Sequence, residues 1–516
     1  MRRVVVALTA LLVMIGGAVV VGYLLLFAVV PDRASRAAPA DTALYLNAYL
    51  QPSAGQQMNL FGLIGQLRGF GDPAALEAKI DEVAGRLLGE VGIDYLADVR
   101  PWLGDQLAIA AAPGEAGSQP RMLLLAAVKD SAAARVAVPR LFASMKLVFT
   151  RETFHGHTVM TSDGTSYALL DDLLVVATTP DRLREALEAE ADVAPSLADS
   201  PRFTAAMRNV ASDHLASMYV DLPRAAGLPE GQLGGFASAA VALTADADGL
   251  HLGGTAPFTA DGASDEARTA FSLGTGASTL AAWMPRTTSA EAVLFGVAQS
   301  FKDLEASLTD DAAFAPAIDA LNQLRGLAAI GLGINFNRDL LPLLDGEAAL
   351  ALEKVTADGP HGQLLLRPKD AKVAQAALDR MRSGLADRGS TVRTRQVTGT
   401  SVTSVTVPQI GTVAYAMLDG VVILGLDPAD VAAALEAHDA GQTLDSDDRY
   451  TAPFELAGGH AGNELWADIP SLTDALAGTF DLGSELRDIL HQIGELATSA
   501  AATDDRLDIN GVLTVR

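Results

Sequence analysis

The stretch Tyr167–Ala189 reads YALLDDLLVVATTPDRLREALEA, and Tyr415–Ala437 reads YAMLDGVVILGLDPADVAAALEA, 248 positions further on. Each holds a continuous apolar run of strand length, LLVVA (Leu173–Ala177) or VVILG (Val421–Gly425). Asp171-Asp172 and Asp419-Gly420 precede these runs and suit the tight turn of a hairpin, with YALL and YAML as the incoming strands. Thr179-Pro180 and Asp427-Pro428 come next. Thr or Asp serves as a helix N-cap and Pro suits the first helical turn, so both stretches predict a hairpin followed by a helix.

The likeness extends outward in both directions. Downstream, SLADSPRFTAAM (Ser196–Met207) faces TLDSDDRYTAPF (Thr443–Phe454), and MYVDLP (Met218–Pro223) faces LWADIP (Leu465–Pro470). Upstream, LLAAVKDSAAARVAVPRL (Leu124–Leu141) faces QLLLRPKDAKVAQAALDRM (Gln363–Met381), where Asp130 and Asp370 are placed to cap helices. Earlier still, RPWLGDQLAIA (Arg100–Ala110) faces LLPLLDGEAALAL (Leu340–Leu352). Each half closes on an alternating strand, GLHLGGTAPF from Gly249 and RLDINGVLTV from Arg506. Blocks in one shared order predict a tandem repeat of a single unit, residues 41–258 and 277–516, joined by residues 259–276. Tyr167 is expected to overlay Tyr415, and Asp221 to overlay Asp468. Hairpin-sized spacings predict an α+β class: an antiparallel or mixed sheet with helices packed on one face.

The amino terminus carries a second signal. Arg2 and Arg3 precede VVVALTALLVMIGGAVVVGYLLLFAVV, Val4–Val30, which is 27 residues without a charge. At about 1.5 Å per residue such a helix is long enough to cross a bilayer. A cleavable signal has an apolar core of only about 7–15 residues, so an uncleaved transmembrane anchor over residues 1–30 is expected. The arginines ahead of the span place the N-terminus in the cytoplasm and the body outside it, as a single-pass protein of the cell membrane. Residues 31–40, rich in Pro and Ala, read as a linker to the body.

Composition narrows the classes. The 516 residues carry 37 basic and 63 acidic side chains, a net charge of −26, which repels nucleic-acid phosphate and excludes nucleic acid as a partner. Hydrophobic residues make up 49% and charged residues 19%, the balance of a globular chain. There is no cysteine, which removes disulfides and thiolate metal sites.

The anchor, ADTALYLNAYLQPS (Ala40–Ser53), RPWLGDQLAIA, the LLDDLLVVA hairpin and SLADSPRFTAAM together resemble the bacterial domain of unknown function family 3352. That resemblance covers most of the chain beyond the anchor. It implies a membrane-anchored envelope protein with no agreed activity and no established catalytic residues, so it carries no site over.

Signatures of chemistry are sparse. No G-x-S-x-G nucleophile elbow occurs, no lysine has a Ser three positions before it, and there is no Walker loop, H-E-x-x-H or dinucleotide glycine motif. GLGIN (Gly331–Asn335) has too few glycines for the last and reads as a turn. His155 and His157, two positions apart, offer two imidazoles to a metal if they share a strand face, but the second half has Thr400 and Val402 near that place, and a surface hairpin accounts for them. Asp246 and Asp248 begin like a calcium loop, but Leu250 and Pro257 fall where further ligands are required, so a hairpin turn accounts for them as well. Met58, Phe61, Ile64 and Leu67 recur near helical spacing in an apolar, glycine-rich segment that could lie on a bilayer, line a lipid groove or join the core. VLFGVAQSF (Val293–Phe301) stands as its counterpart. No catalytic, cofactor-binding or metal residue is assigned. The expected function is a non-catalytic binding or scaffolding role in the cell envelope with an envelope protein or lipid as partner. The alternatives are a lipid or lipoprotein binding module and an enzyme of unrecognised type.

Overall fold

The computed structural model describes residues 32–66, 81–82, 85, 89, 93–114, 119–144, 147–227, 236–258, 276–309, 315–327, 329, 333–356, 359–407, 411–477, 484–503 and 505–516. The chain divides into two compact units, Met1–Gly262 and Ala263–Arg516. Val4–Val30, Leu67 and all but Gly276 of the joining segment lie outside the described residues. Among the described residues no helix is long and apolar enough to cross a membrane.

In the first unit the described strands are β1 (Leu44–Tyr49), β2 (Leu103–Ala112), β3 (Arg121–Val128), β4 (Thr150–Phe154), β5 (His157–Ser162), β6 (Thr165–Leu169), β7 (Leu173–Ala177), β8 (Ala216–Asp221), β9 (Ser238–Ala245) and β10 (Gly249–Pro257). They form one antiparallel sheet in the order β10-β9-β8-β1-β2-β3-β7-β6-β5-β4. The second unit has β11 (Ala290–Phe295), β12 (Glu347–Thr356), β13 (Gly359–Arg367), β14 (Thr391–Val397), β15 (Thr400–Val407), β16 (Gly411–Leu418), β17 (Val421–Gly425), β18 (Asn463–Asp468), β19 (Ile493–Ala502) and β20 (Arg506–Val515). Their order is β20-β19-β18-β11-β12-β13-β17-β16-β15-β14, again antiparallel throughout. The class is α+β, and the sheet of each unit is antiparallel rather than mixed.

The repeated stretch folds as its chemistry dictates. β6 and β7 pair with Tyr167 opposite Val176, and β16 and β17 with Tyr415 opposite Leu424. Asp419 and Gly420 adopt positive φ values of 49° and 79°, the left-handed pair that a tight hairpin turn needs. The following helices span Pro180–Glu190 and Pro428–Ala440. Thr179 Oγ1 accepts from Arg182 N–H at 3.2 Å and Asp427 Oδ1 from Ala429 N–H at 2.7 Å. Asp130 and Asp370 cap the helices Ser131–Ser144 and Ala371–Ala386 in the same manner.

Helices cover both faces of each sheet, not one. Because neighbouring strand residues point to opposite sides, Leu123 and Leu125 of β3 meet Leu183, Ala186 and Leu187, while Ala126 and Val128 meet Ala134, Val138 and Phe142. In the second unit Leu365 packs with Val431, Ala434 and Leu435, and Leu366 with Ala374, Ala377 and Leu378. A fully buried leucine of this kind contributes about 1.5–3 kcal/mol relative to an exposed one.

Of the expected linker 31–40, residues 32–40 are described, and they are packed rather than a spacer. Ala34, Ala37 and Ala38 are fully buried in the first core. Leu197 N–H donates to the Ala38 carbonyl at 2.6 Å, and Tyr45 Oη and Gln106 Nε2 each donate to Asp32 Oδ1 at 2.6 Å. The unit therefore begins by Asp32. Its small alanines serve close packing, a use that composition alone does not separate from a linker.

Candidate binding face

Strands β18, β11, β12, β13 and β17 lie side by side in the second unit. Their register sets Leu465 opposite Ala292, Ala292 opposite Leu350, Leu350 opposite Leu364, and Leu364 opposite Leu424. Those residues form one row across five strands. The row faces away from Val293, Ala351 and Leu365, which point into the core beneath Tyr450 and Phe454. Along the same face, Leu294 stands opposite Ala348 and Ala290 opposite Leu352. The helix Ala371–Ala386 covers only part of this side, over Ala348, Leu366 and Val422.

What it leaves open is apolar. Leu350 is 58% exposed, Leu294 51%, Leu465 42% and Leu364 38%. Single exposed leucines are ordinary, but three in one register row, with Leu294 beside it on the same face, form a continuous apolar patch, and such patches mark contact sites. No charged side chain belongs to the row. At one end Asn463 Oδ1 accepts from Phe295 N–H at 2.9 Å. Chemically the face can exclude water against another apolar surface or an acyl chain; it offers no nucleophile and no acid.

Sequence reasoning did not find this face. Runs such as GQLLLR and EAALAL are apolar on both sides, the pattern of a strand covered twice. Alternation shows which residues share a face, and it takes a neighbouring element to show whether that face is covered.

The candidates that the sequence suggested fall elsewhere. His157 lies on β5, but His155 lies in the β4–β5 turn with φ 47°, so the two imidazoles do not share a strand face. Asp246 sits at the β9–β10 turn, where its backbone N–H donates to the Gly249 carbonyl at 2.9 Å. Among the described residues no group of three or more His, Asp or Glu side chains is placed to hold a metal. In the helix Ala54–Gln66, Leu60, Leu63 and Ile64 are buried and Met58 is exposed, so the core-facing stripe differs from the Met58–Phe61–Ile64 spacing. Gln56 Oε1 accepts from Ala245 N–H at 2.7 Å and Asn59 Nδ2 donates to the Ala245 carbonyl at 3.0 Å, which fixes this helix on the end of β9. Of Val293–Phe301, the first three residues end β11 and Val297 opens a helix.

One polar arrangement escaped the sequence altogether. His361 Nδ1 lies 3.1 Å from Asp430 Oδ1, and Thr356 Oγ1 lies 3.3 Å from His361 Nε2. This is a hydroxyl–imidazole–carboxylate chain, assembled from the β12–β13 hairpin and the first turn of the helix Pro428–Ala440. Thr356 Oγ1 also lies 3.3 Å from the Gly359 carbonyl, as a donor to it. Donation to that carbonyl competes with donation to the imidazole, and the chain ties the hairpin to the helix.

The family whose description is "Protein of unknown function (DUF3352)" matches residues 4–513. The chain belongs to this family. No curated protein matches it. Among solved structures, crystal form III of TP0453 is similar at 14% identity, covering 49% of this chain and 89% of that one, with a TM-score of 0.26. Crystal form IV of the same protein is similar at 14% identity, covering 43% and 80%, with a TM-score of 0.25. Likenesses this slight carry no argument about fold or ligand. Membership of the family supplies no activity, and the reading of function rests on the residues themselves.

Proposed function

We propose that the chain is a single-pass membrane-anchored binding protein of the cell envelope, held by Val4–Val30, with an extracytoplasmic body that contributes no catalysis. The charge-free face of the second sheet receives its partner. The four exposed leucines of one face, three of them in a single register row, carry this reading, and they favour a lipid or the acyl group of a lipoprotein over a polar protein surface, because an acyl chain asks only for apolar area.

The body is two copies of one unit. Adding ten to each strand number of the first sheet reproduces the order of the second. Smaller contacts correspond as well. Pro39 bridges Ser196 as Pro285 bridges Thr443. Leu197 N–H meets the Ala38 carbonyl at 2.6 Å, and Leu444 N–H meets the Met284 carbonyl at 2.8 Å. Arg33 N–H donates to Gln106 Oε1 at 3.2 Å, and Thr279 N–H to Glu347 Oε1 at 2.8 Å. With the fold duplicated, the two copies are free to diverge in what their faces bind.

The test is a photo-crosslinking residue at position 350 of the full-length protein in its own membrane, with position 393 on β14 as a polar control. A lipid adduct at 350 and none at 393 supports the reading. Equal labelling at both positions, or none at 350, overturns it.

A further inference from the structure

The core of the second unit contains acids where that of the first does not. Glu291 on β11 and Glu464 on β18 are both buried, on the same face of adjacent strands: Glu291 stands opposite Trp466 and Val293 opposite Glu464. The ring of Tyr450, from the helix Asp448–Leu456, meets Trp466 edge-on at 5.6 Å. Both Glu291 oxygens, Glu464 Oε1 and the Tyr450 hydroxyl are shut off from solvent without an aligned hydrogen bond among the described residues. Glu464 Oε2 lies 3.2 Å from His460 Nδ1. Glu347, on the neighbouring strand β12, is held by the Ser278 and Thr279 hydroxyls and by Thr279 N–H.

In the first unit the corresponding places hold no acid. By register, Tyr45 stands opposite Tyr219 where Glu291 stands opposite Trp466, and Ser217 takes the place of Glu464. Tyr45 sends its hydroxyl to Asp32 Oδ1 at 2.6 Å, and its ring meets Phe203 edge-on at 5.9 Å. The first core thus reaches the same packing without a buried acid lacking a partner.

A dry carboxylate with no cation and no aligned donor is costly, and the usual escape is to keep its proton. We infer that Glu291 is a proton-holding group in the core of the second unit, neutral at physiological pH, so that a rise in pH from mildly acidic through neutral loosens this unit and spares the first. Burial is the main cause and pushes the Glu291 carboxyl up to about 8; the Tyr450 hydroxyl opposes the shift, and the charges of Glu464 and Glu347 add to it. Burial, with Glu291, Glu464 and Asp445 nearby, likewise raises Tyr450, so its phenol stays protonated. A carboxyl whose folded value lies above its unfolded value stabilises most below the unfolded value, and that stability is lost as pH rises through the folded value. The window therefore runs from the ordinary glutamate value of 4.5 up to about 8.

Hydrogen exchange on the full-length protein, corrected for the intrinsic effect of pH, reads each unit separately. From about pH 5 to about pH 9, protection in β11, β18 and the helix Asp448–Leu456 should fall at least about tenfold, with no matching fall in β1 and β8. Glu291→Gln should remove that pH dependence. Glu464→Gln, which deletes a like charge, should move the loss to lower pH, a coupling that a merely structural role would not produce. The same fall in both units, an unchanged pH dependence in Glu291→Gln, or no displacement in Glu464→Gln would each overturn the inference.

Discussion

Arg202 and Asp221 stand 19 residues apart in sequence and meet at 3.0 Å, with the Asp221 side chain fully buried. At the same separation in the second unit, Arg449 Nη1 meets Asp468 Oδ2 at 2.6 Å. Each aspartate also caps the helix that follows its strand, Asp221 Oδ1 accepting from Arg224 N–H and Asp468 Oδ1 from Ser471 N–H. The pair locks the helix that carries the arginine, Pro201–Met207 or Asp448–Leu456, to the end of the strand that carries the aspartate.

Removing the arginine takes one charged donor from a buried aspartate, which keeps Arg224 in the first unit and Arg516 in the second. Arg202→Ala and Arg449→Ala should each destabilise their own unit by about 1.5 kcal/mol, the loss of one charge-assisted hydrogen bond with a second arginine still in place. Denaturant unfolding, resolved by unit through hydrogen exchange, checks this. A loss under about 0.5 kcal/mol would show the pairs to be incidental.

The caps of the repeated stretch make a smaller, matched contribution. Thr179→Ala and Asp427→Ala should each cost about 1 kcal/mol, with near-additive effects in the double variant. Thr179→Asp should be tolerated, since a carboxylate at a helix N-terminus is favourable. Asp427 serves as a cap, the role that Thr179 fills in the first unit. An unchanged unfolding midpoint in both alanine variants would contradict this role.

The caps, hairpins and helices were legible because Thr-Pro, Asp-Pro and Asp-Gly have strong local preferences that tertiary packing did not override. The burial of Ala34 and Ala38 was not, since nothing local distinguishes a packed alanine from one in a linker. Nor was the chain from Thr356 through His361 to Asp430, whose last two members are 69 residues apart and are brought together by tertiary contacts, the β13–β17 pairing and the Gln363 bond to the Asp430 carbonyl. The leucine face lay hidden for a related reason: Leu350 and Leu365 look alike in sequence, and only the placement of helices makes one exposed and the other core.

Strong acid should act through a different set of groups from Glu291. Asp468 works against its own burial, but hydrogen bonds from Ser471 and the Arg516 and Arg449 guanidinium groups hold its carboxyl below the usual aspartate value. Asp41, also against its burial, is held low by Arg182 and Arg121. A depressed carboxyl contributes stability above the unfolded value, and that stability is lost as pH falls through the folded value. Unfolding midpoints should therefore drop below about pH 4 in both units, and Asp468→Asn should flatten the acid limb of the second alone. An acid limb unchanged by Asp468→Asn would count against this assignment.

Topology follows from Val4–Val30. Protease added to intact spheroplasts should digest the body, and the fragment that resists should retain the apolar N-terminal segment. Full protection of the body would place it in the cytoplasm and remove the envelope from the proposal.

The most direct test of the binding face is equilibrium binding of a dansyl-labelled fatty acid to the full-length protein held in amphipol. The variant Leu350→Glu/Leu364→Glu puts two charges on the open row, where both side chains already meet solvent, so the unfolding midpoint should stay within about 1 °C of the parent. Affinity should fall at least about tenfold, as expected when a charge must be desolvated against an acyl chain. Undiminished binding by a variant that unfolds like the parent would contradict the assignment of this face.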